Sequence, residues 1–296
     1  MELRFDGRVA VITGAGRGIG RAHALLLASR GAQVVVADIG CQIDGSGSST
    51  QPAEDVVREI QATGGQAVTC YASVTDEAGA ASIVATALEA FGRLDIVINN
   101  AGIFGPAPFE TITTEQFRAM IDVHFFGTLF VTRAAWPHLV AAGYGRIVNT
   151  TSETMLGTPL VASYGAAKAA IFGLSRNAAV EGVEHGIKVN CLAPRAATRM
   201  GDALSEKIDH PAEILEQMKA AMPPEINAPA AAFLAHESCP FNGETLFVSP
   251  GRVARLAVVL TEGLSKDVIT AEDIAENIDQ IMDTANAPVI GLNEMP

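Results

Sequence analysis

The sequence has 296 residues, with 20 Lys and Arg against 33 Asp and Glu, a formal net charge of -13 and 49% hydrophobic residues. Such acidity argues against a nucleic-acid partner, because neutralising phosphates requires a basic face, while the length suits one large α/β domain with a sizeable core. Cys41, Cys70, Cys191 and Cys239 form no CxxC pair and stand by no histidine cluster, which argues against a zinc site and a disulfide framework and fits a reducing compartment.

No apolar signal core opens the chain, and no run of 18 apolar residues interrupts it. The expectation is a cytoplasmic protein without a membrane partner. The closing Asn-Glu-Met-Pro is not a peroxisomal address.

Residues 9–12 are a short apolar run, followed by Thr13-Gly14-Ala15-Gly16-Arg17-Gly18-Ile19-Gly20 and a helical stretch to about residue 30. Strand, glycine turn and helix in that order suit a dinucleotide: glycines let the backbone approach a pyrophosphate, and the helix N-terminus offers free N–H groups. The spacing is Gly-x-x-x-Gly-x-Gly. Residues 33–37 read as a valine-rich second strand ending on Asp38, 18 positions past Gly20. An acid there accepts hydrogen bonds from ribose hydroxyls and repels a 2′-phosphate, so NAD is favoured over NADP. A turn aspartate would look the same, and Arg17 could serve a phosphate.

Residues 40–51 are a Gly/Ser-rich surface loop before a helix at about 52–62. After a third strand at 67–70, Ser73 and Val74 fall where the chain would pass an adenine. A fourth strand, 94–98, leads into Asn99, Asn100, Ala101 and Gly102, which allow close approach to a cofactor. Thr113 to Glu115 start a long helix through 136 containing His124, either a satisfied core histidine or a functional group. A strand at 146–149 precedes Ser152, whose hydroxyl could bond a substrate oxygen.

Twelve positions later comes Tyr164, and Lys168 follows four after it in an Ala-rich helical run, so both project from one helix face. Lowering a phenol from pKa ~10 by ~3 units takes roughly 4 kcal/mol, of which a neighbouring ammonium supplies part. An Ala-rich helix can also hold such a pair incidentally; the glycine turn upstream favours chemistry. Strands at 188–192 and 245–248 complete seven, alternating with helices. That pattern predicts a Rossmann-type, doubly wound, seven-stranded parallel sheet with helices on both faces and ligands at the strands' carboxyl ends. Residues 1–250 form the core of a single domain. Residues 251–296 are an extension with a helix opened by a capping box at Thr270 to Asp273 and running to about 283, serving as a cleft seal, a subunit contact or a packing appendage.

Together, Thr13-Gly14-x-x-x-Gly18-x-Gly20, Asp38, Asn99 to Gly102, Ser152 and Tyr164-x-x-x-Lys168 resemble the classical short-chain dehydrogenase/reductases. The loop after Asp38 and residues 131–138, 193–200 and 236–239 are most similar to the (3R)-hydroxyacyl-CoA dehydrogenase units of peroxisomal multifunctional enzymes type 2 and their bacterial relatives. The resemblance implies NAD-dependent, reversible oxidation of a secondary alcohol, with an acyl-CoA as substrate. It implies Tyr164 as base, Lys168 lowering the phenol's pKa and holding the nicotinamide ribose, and Ser152 binding the reacting oxygen. Gly14, Arg17, Gly18, Ile19, Gly20, Asp38, Ser73, Val74, Asn100, Ala101, Gly102, Pro194 and Thr198 would join Tyr164 and Lys168 around the cofactor, with no metal. Arg195 and Arg199 would meet CoA phosphates. The family pairs its fourth and fifth helices across a two-fold axis, which implies a homodimer or homotetramer.

Three departures stand out. His124 occupies the position of the family's active-site asparagine, as in the suspected branch. Serine-to-tyrosine spacing is one short, leaving Thr151 as a second candidate hydroxyl. The acidic residue that many family members place near the adenine is absent at Ala72 and Ser73. The alternatives are a dehydrogenase of hydroxysteroids or other bulky alcohols, and an NAD-binding regulator without turnover.

Overall fold

The computed structural model describes residues 2–205 and 212–293. Strands β1 (Val9–Thr13), β2 (Gln33–Ala37), β3 (Gln66–Cys70), β4 (Ile96–Asn99), β5 (Gly145–Thr150), β6 (Ile187–Pro194), β7 (Thr245–Ser249) and β8 (Arg252–Leu256) form one sheet in the order β3-β2-β1-β4-β5-β6-β7-β8. The helices are α1 (Gly18–Ser29), α2 (Gln51–Ala62), α3 (Glu77–Phe91), α4 (Thr114–Ile121), α5 (Gly127–Ala142), α6 (Ala162–Gly182), α7 (Arg199–Ser205), α8 (Ala212–Ala221), α9 (Ala228–Ala235), α10 (Ala271–Glu276) and α11 (Ile278–Met282). This is the expected doubly wound α/β sheet.

Continuous apolar strands are what a sheet covered on both faces demands, because successive side chains point to opposite sides. In β1, Ala10 and Ile12 enter a core with Leu27 of α1, Val56 of α2 and Ala231 of α9, while Val9 and Val11 enter a second core with Ile83 of α3, Val131 of α5 and Ala179 of α6. The same alternation divides Val34 and Val36 from Val35 in β2.

Three features depart from the expectation. The first seven strands are parallel, but β8 is an added antiparallel edge strand, turned back after Ser249 and paired with β7 from Thr245 opposite Leu256 to Ser249 opposite Arg252. Only a short two-residue turn separates the two, which is the connection an antiparallel partner needs. The long helix predicted to start at Thr113 to Glu115 and run through 136 does start there, on a Thr113/Gln116 capping box, but a π turn over Asp122–Phe126 separates α4 from α5. The helix predicted to end at about 283 does open on a capping box, Thr270 with Asp273, yet it breaks at Asn277 into α10 and α11. The tail then returns to the body, where the Arg176 guanidinium donates to the carbonyls of Ile290 and Gly291 at 2.9 and 2.8 Å.

At the amino end of the sheet, away from the glycine turn, the fully buried Asp95 carboxylate accepts from Arg8, Arg93 and the Val9 amide. A buried carboxylate needs that many donors to offset its lost hydration. The carboxyl edge is left for chemistry. Among the described residues, no helix is long and apolar enough to cross a membrane, and no group of three or more His, Cys, Asp or Glu side chains could hold a metal ion.

Candidate active site

The carboxyl ends of β1, β2, β4, β5 and β6 bring the predicted residues to one edge. Gly14 and Gly18 adopt positive φ angles of 63° and 53°. A Cβ on Gly14 would lie 2.8 Å from Ala101 Cα, so the turn after β1 packs directly on the turn after β4. At Gly18 the nearest neighbour of an added Cβ would be Thr198 Cγ2, 3.8 Å away, which places Thr198 across an open cradle from the glycine turn. Helix α1 starts there with no side-chain cap and no acid in its first turn, whereas α3 and α4 are capped by Asp76 and Thr113. Uncapped amides and a positive dipole end are what a pyrophosphate needs, so these residues fit a dinucleotide.

Asp38 is held on both oxygens: Oδ2 accepts from the Gly16 amide at 2.7 Å and Oδ1 from the Gly40 amide at 2.6 Å. Its carboxylate is thereby fixed at the end of β2. Arg17 is exposed beside the same loop, with Nη1 3.4 Å from the Cys41 carbonyl. Asn100 braces the turn, donating from Nδ2 to the carbonyls of Thr13 and Gly14 at 3.0 and 3.1 Å. Ser73 bonds Thr75 side chain to side chain, and Val74 packs against Gly127 at the start of α5. Ile19 and Pro194 are half-buried along the same edge.

Tyr164 and Lys168 lie on α6, and Ser152 stands at the end of β5, near enough for its hydroxyl to hydrogen-bond the phenol. Burial pushes the Tyr164 phenol up to about 12, with the Ser152 bond pulling the other way. Burial likewise brings the Lys168 ammonium down to about 7. Lys168 Nζ donates to the Thr150 carbonyl at 2.6 Å and sits 5.4 Å from the centre of the Tyr164 ring. The ammonium therefore lies over the ring of the phenol. The Thr151 hydroxyl is fully buried and donates to the Lys168 carbonyl at 2.9 Å, so of the two candidate hydroxyls Ser152 is the one beside the phenol.

His124 sits within the π turn, the kind of helical irregularity that recurs at functional sites. Its ring is buried and meets Tyr164 edge-on, with centroids 5.1 Å apart. Nε2 lies 2.8 Å from the Ile103 carbonyl and 3.2 Å from the Ile103 amide; a protonated Nε2 donates to the first and a bare one accepts from the second. Nδ1 has no hydrogen-bond partner among the described residues. Burial, then the nearby Lys168 charge, holds His124 well below the ordinary histidine value, so the ring is neutral. Gly102 must lack a Cβ here because that atom would enter the imidazole.

Sequence reading missed several contributors. Phe104, an aromatic just past the glycine of the β4 turn, meets Tyr164 edge-on at 5.2 Å. Beneath the site, Asn99 donates to Thr132 and Asn149, and Asn149 donates to Ser175, a buried polar chain joining β4, β5, α5 and α6. Asparagines closing two adjacent apolar strands were its one available signal. Arg195 was expected to meet CoA phosphates, but it forks onto Glu153, with Nε to Oε1 at 2.6 Å and Nη2 to Oε2 at 2.8 Å. Arg199 lies with Gln42, Ile43 and Asp202 around a shallow cleft.

Comparison with known proteins agrees with this geometry. The family model described as short chain dehydrogenase matches residues 8–209. Peroxisomal multifunctional enzyme type 2 of Mus musculus is 41% identical over 290 residues, covering 96% of this chain and 38% of that protein, so the chain spans well under half of that relative's length. A short chain dehydrogenase structure from Mycobacterium avium superposes with a TM-score of 0.78 at 34% identity, covering 98% and 99% of the two chains. A 7α-hydroxysteroid dehydrogenase complexed with NADH and 7-oxo glycochenodeoxycholic acid superposes with a TM-score of 0.73 at 35% identity, covering 84% and 95%.

Proposed function

We propose that this chain, which belongs to the short-chain dehydrogenase family, interconverts a (3R)-3-hydroxyacyl-CoA and its 3-oxoacyl-CoA with NAD, as a single-domain homo-oligomer of the cytoplasm. Its class follows from membership: the chain is an oxidoreductase acting on CH–OH groups with a nicotinamide cofactor. The observation that carries the chemistry is the meeting of Ser152, Tyr164 and Lys168 at the sheet edge that also bears the glycine turn. A family member with that trio intact has no need of the regulator reading. The acyl-CoA reading is supported by the similarity to multifunctional enzyme type 2 along nearly the whole chain.

In the oxidation direction, Tyr164 takes the alcohol proton and Ser152 holds the reacting oxygen by a hydrogen bond. The bound nicotinamide supplies hydride acceptance. Lys168 contributes a positive charge over the Tyr164 ring, and the uncapped first turn of α6, in which Tyr164 lies, adds a positive dipole end that favours phenolate.

A screen of NAD reduction over (3R)- and (3S)-hydroxyacyl-CoA esters and steroid alcohols tests the substrate. Turnover of the (3R) esters is expected; turnover of bile-acid or steroid alcohols alone would establish the second reading, favoured by the likeness to the 7α-hydroxysteroid dehydrogenase.

Asp38 carries the cofactor choice. With both oxygens fixed by backbone amides, the carboxylate cannot swing away from a 2′-phosphate. NAD should exceed NADP at least tenfold in kcat/KM, about 1.4 kcal/mol, and Asp38→Ser should narrow the gap. Equal efficiencies in the parent would remove the argument.

For His124, an alanine would open a void against the Tyr164 ring and release the Ile103 backbone. His124→Ala is expected to lose on the order of 10²-fold in kcat with KM for NAD little changed, while His124→Asn stays within about tenfold. An alanine variant with parental kcat and pH profile would reduce the ring to core packing.

A further inference from the structure

Arg195 has no task in the chemistry above, yet its surroundings hold it firmly. Its amide donates to the Val248 carbonyl at 2.9 Å, its carbonyl accepts from Nδ2 of the fully buried Asn227 at 3.0 Å, and its guanidinium lies 5.3 Å from the centre of the Phe247 ring. From that stem it reaches Glu153 with two parallel bonds of 2.6 and 2.8 Å. Glu153 is the residue after Ser152. The β5–β6 ladder ends with Thr150 opposite Leu192, and one further bond, from the Thr151 amide to the Leu192 carbonyl, spans 2.8 Å. Beyond it the β5–β6 ladder pairing ends, and the guanidinium–carboxylate fork joins the two segments that follow. The Ser152 hydroxyl itself accepts from the Thr154 amide at 3.2 Å, inside the same turn. Downstream of Arg195, the chain reaches Thr198, which faces Gly18 across the cradle.

We propose that Arg195 and Glu153 form a clasp that fixes the Ser152 turn against the segment leading to Thr198, making them positioning residues for the reaction. The clasp rests on the reading of Ser152 and Tyr164 given above. Two magnitudes set its signature. The side chains are 50% and 33% exposed, so the pair adds little to fold stability. A hydroxyl displaced by about an ångström from its working position can lose on the order of 10²-fold in rate. A planar guanidinium matches the carboxylate in a way an ammonium cannot.

The test uses the full chain as Arg195→Met, Glu153→Gln, both together, and Arg195→Lys, with (3R)-3-hydroxydecanoyl-CoA and NAD. Either single change should lower kcat about 10- to 100-fold, with KM for NAD within about twofold and the thermal midpoint within about 3 °C. The double variant should be no worse than the poorer single, because one interaction is lost in all three, and Arg195→Lys should recover part of the rate. In cofactor-free protein, hydrogen exchange at the Thr154 amide should quicken in both singles. Parental kcat with parental Thr154 exchange, or losses that add in the double, would overturn the clasp. Should Arg195→Met fail to fold, Glu153→Gln carries the same expectations. A parent that oxidises no alcohol overturns the functional reading instead, and the Thr154 comparison still decides the clasp.

Discussion

Replacing Tyr164 by phenylalanine is expected to lower kcat by about 10³-fold, within the range for a lost general acid-base group, while leaving the fold and cofactor affinity in place. Phenylalanine retains the ring that meets Phe104 and His124 edge-on and lies under the Lys168 ammonium. Only the hydroxyl and its bond with Ser152 disappear. With the phenol near 12, ionising it at pH 7 is uphill by about 7 kcal/mol, so the free site holds a neutral tyrosine. Lys168, at about 7, is only about half charged at neutrality in the same geometry. The phenolate is thus a species of the loaded enzyme, and the activity of the parent should rise with pH along a limb that titrates well below 12. Stopped-flow and steady-state kinetics with NADH-binding fluorescence check both statements. A Tyr164→Phe enzyme keeping more than about a tenth of parental kcat would move the base elsewhere.

Much of this site is legible in the sequence because its parts are local. Gly14, Gly18 and Gly20 lie within one turn, Tyr164 and Lys168 within one helical turn, and Asp38 and Ser152 at the ends of apolar strands whose direction a parallel sheet fixes. What escapes reading depends on distant partners. Arg195 and Glu153 are 42 positions apart, and nothing in either neighbourhood distinguishes a paired arginine from a phosphate ligand. The π turn around His124 carries no residue signature, since any amphipathic helix can take an extra residue when packing requires it. Strand β8 is likewise absent from the seven-strand expectation: five residues with two arginines, Arg252 and Arg255, around Val253 and Ala254 carry too short an apolar pattern to stand out, although charges of this kind suit an antiparallel sheet edge.

Acid is expected to destabilise this fold through His23, whose neighbours on α1 are all apolar or small. The ring is fully buried, and neither nitrogen has a hydrogen-bond partner among the described residues. Burial alone brings its pKa from 6.5 down to about 3. The folded value lies below the unfolded one, so between them the unfolded chain binds the extra proton. The neutral ring's contribution is complete above about pH 6.5 and is lost as pH falls toward 3. At about 1.4 kcal/mol per pH unit, the loss is about 2 kcal/mol by pH 5 and on the order of 5 kcal/mol by pH 3. His124, also buried and depressed, adds in the same direction. His23→Leu removes one of the two protons, along with two buried nitrogens that lack partners, each a desolvation penalty of roughly 1–3 kcal/mol. The variant should therefore equal or exceed the parent at pH 7.5 and outlast it by about a further 2 kcal/mol at pH 5. Urea midpoints at the two pH values read that difference. Parallel pH dependences in parent and variant would mean that His23 takes up its proton, or meets water, inside the folded chain.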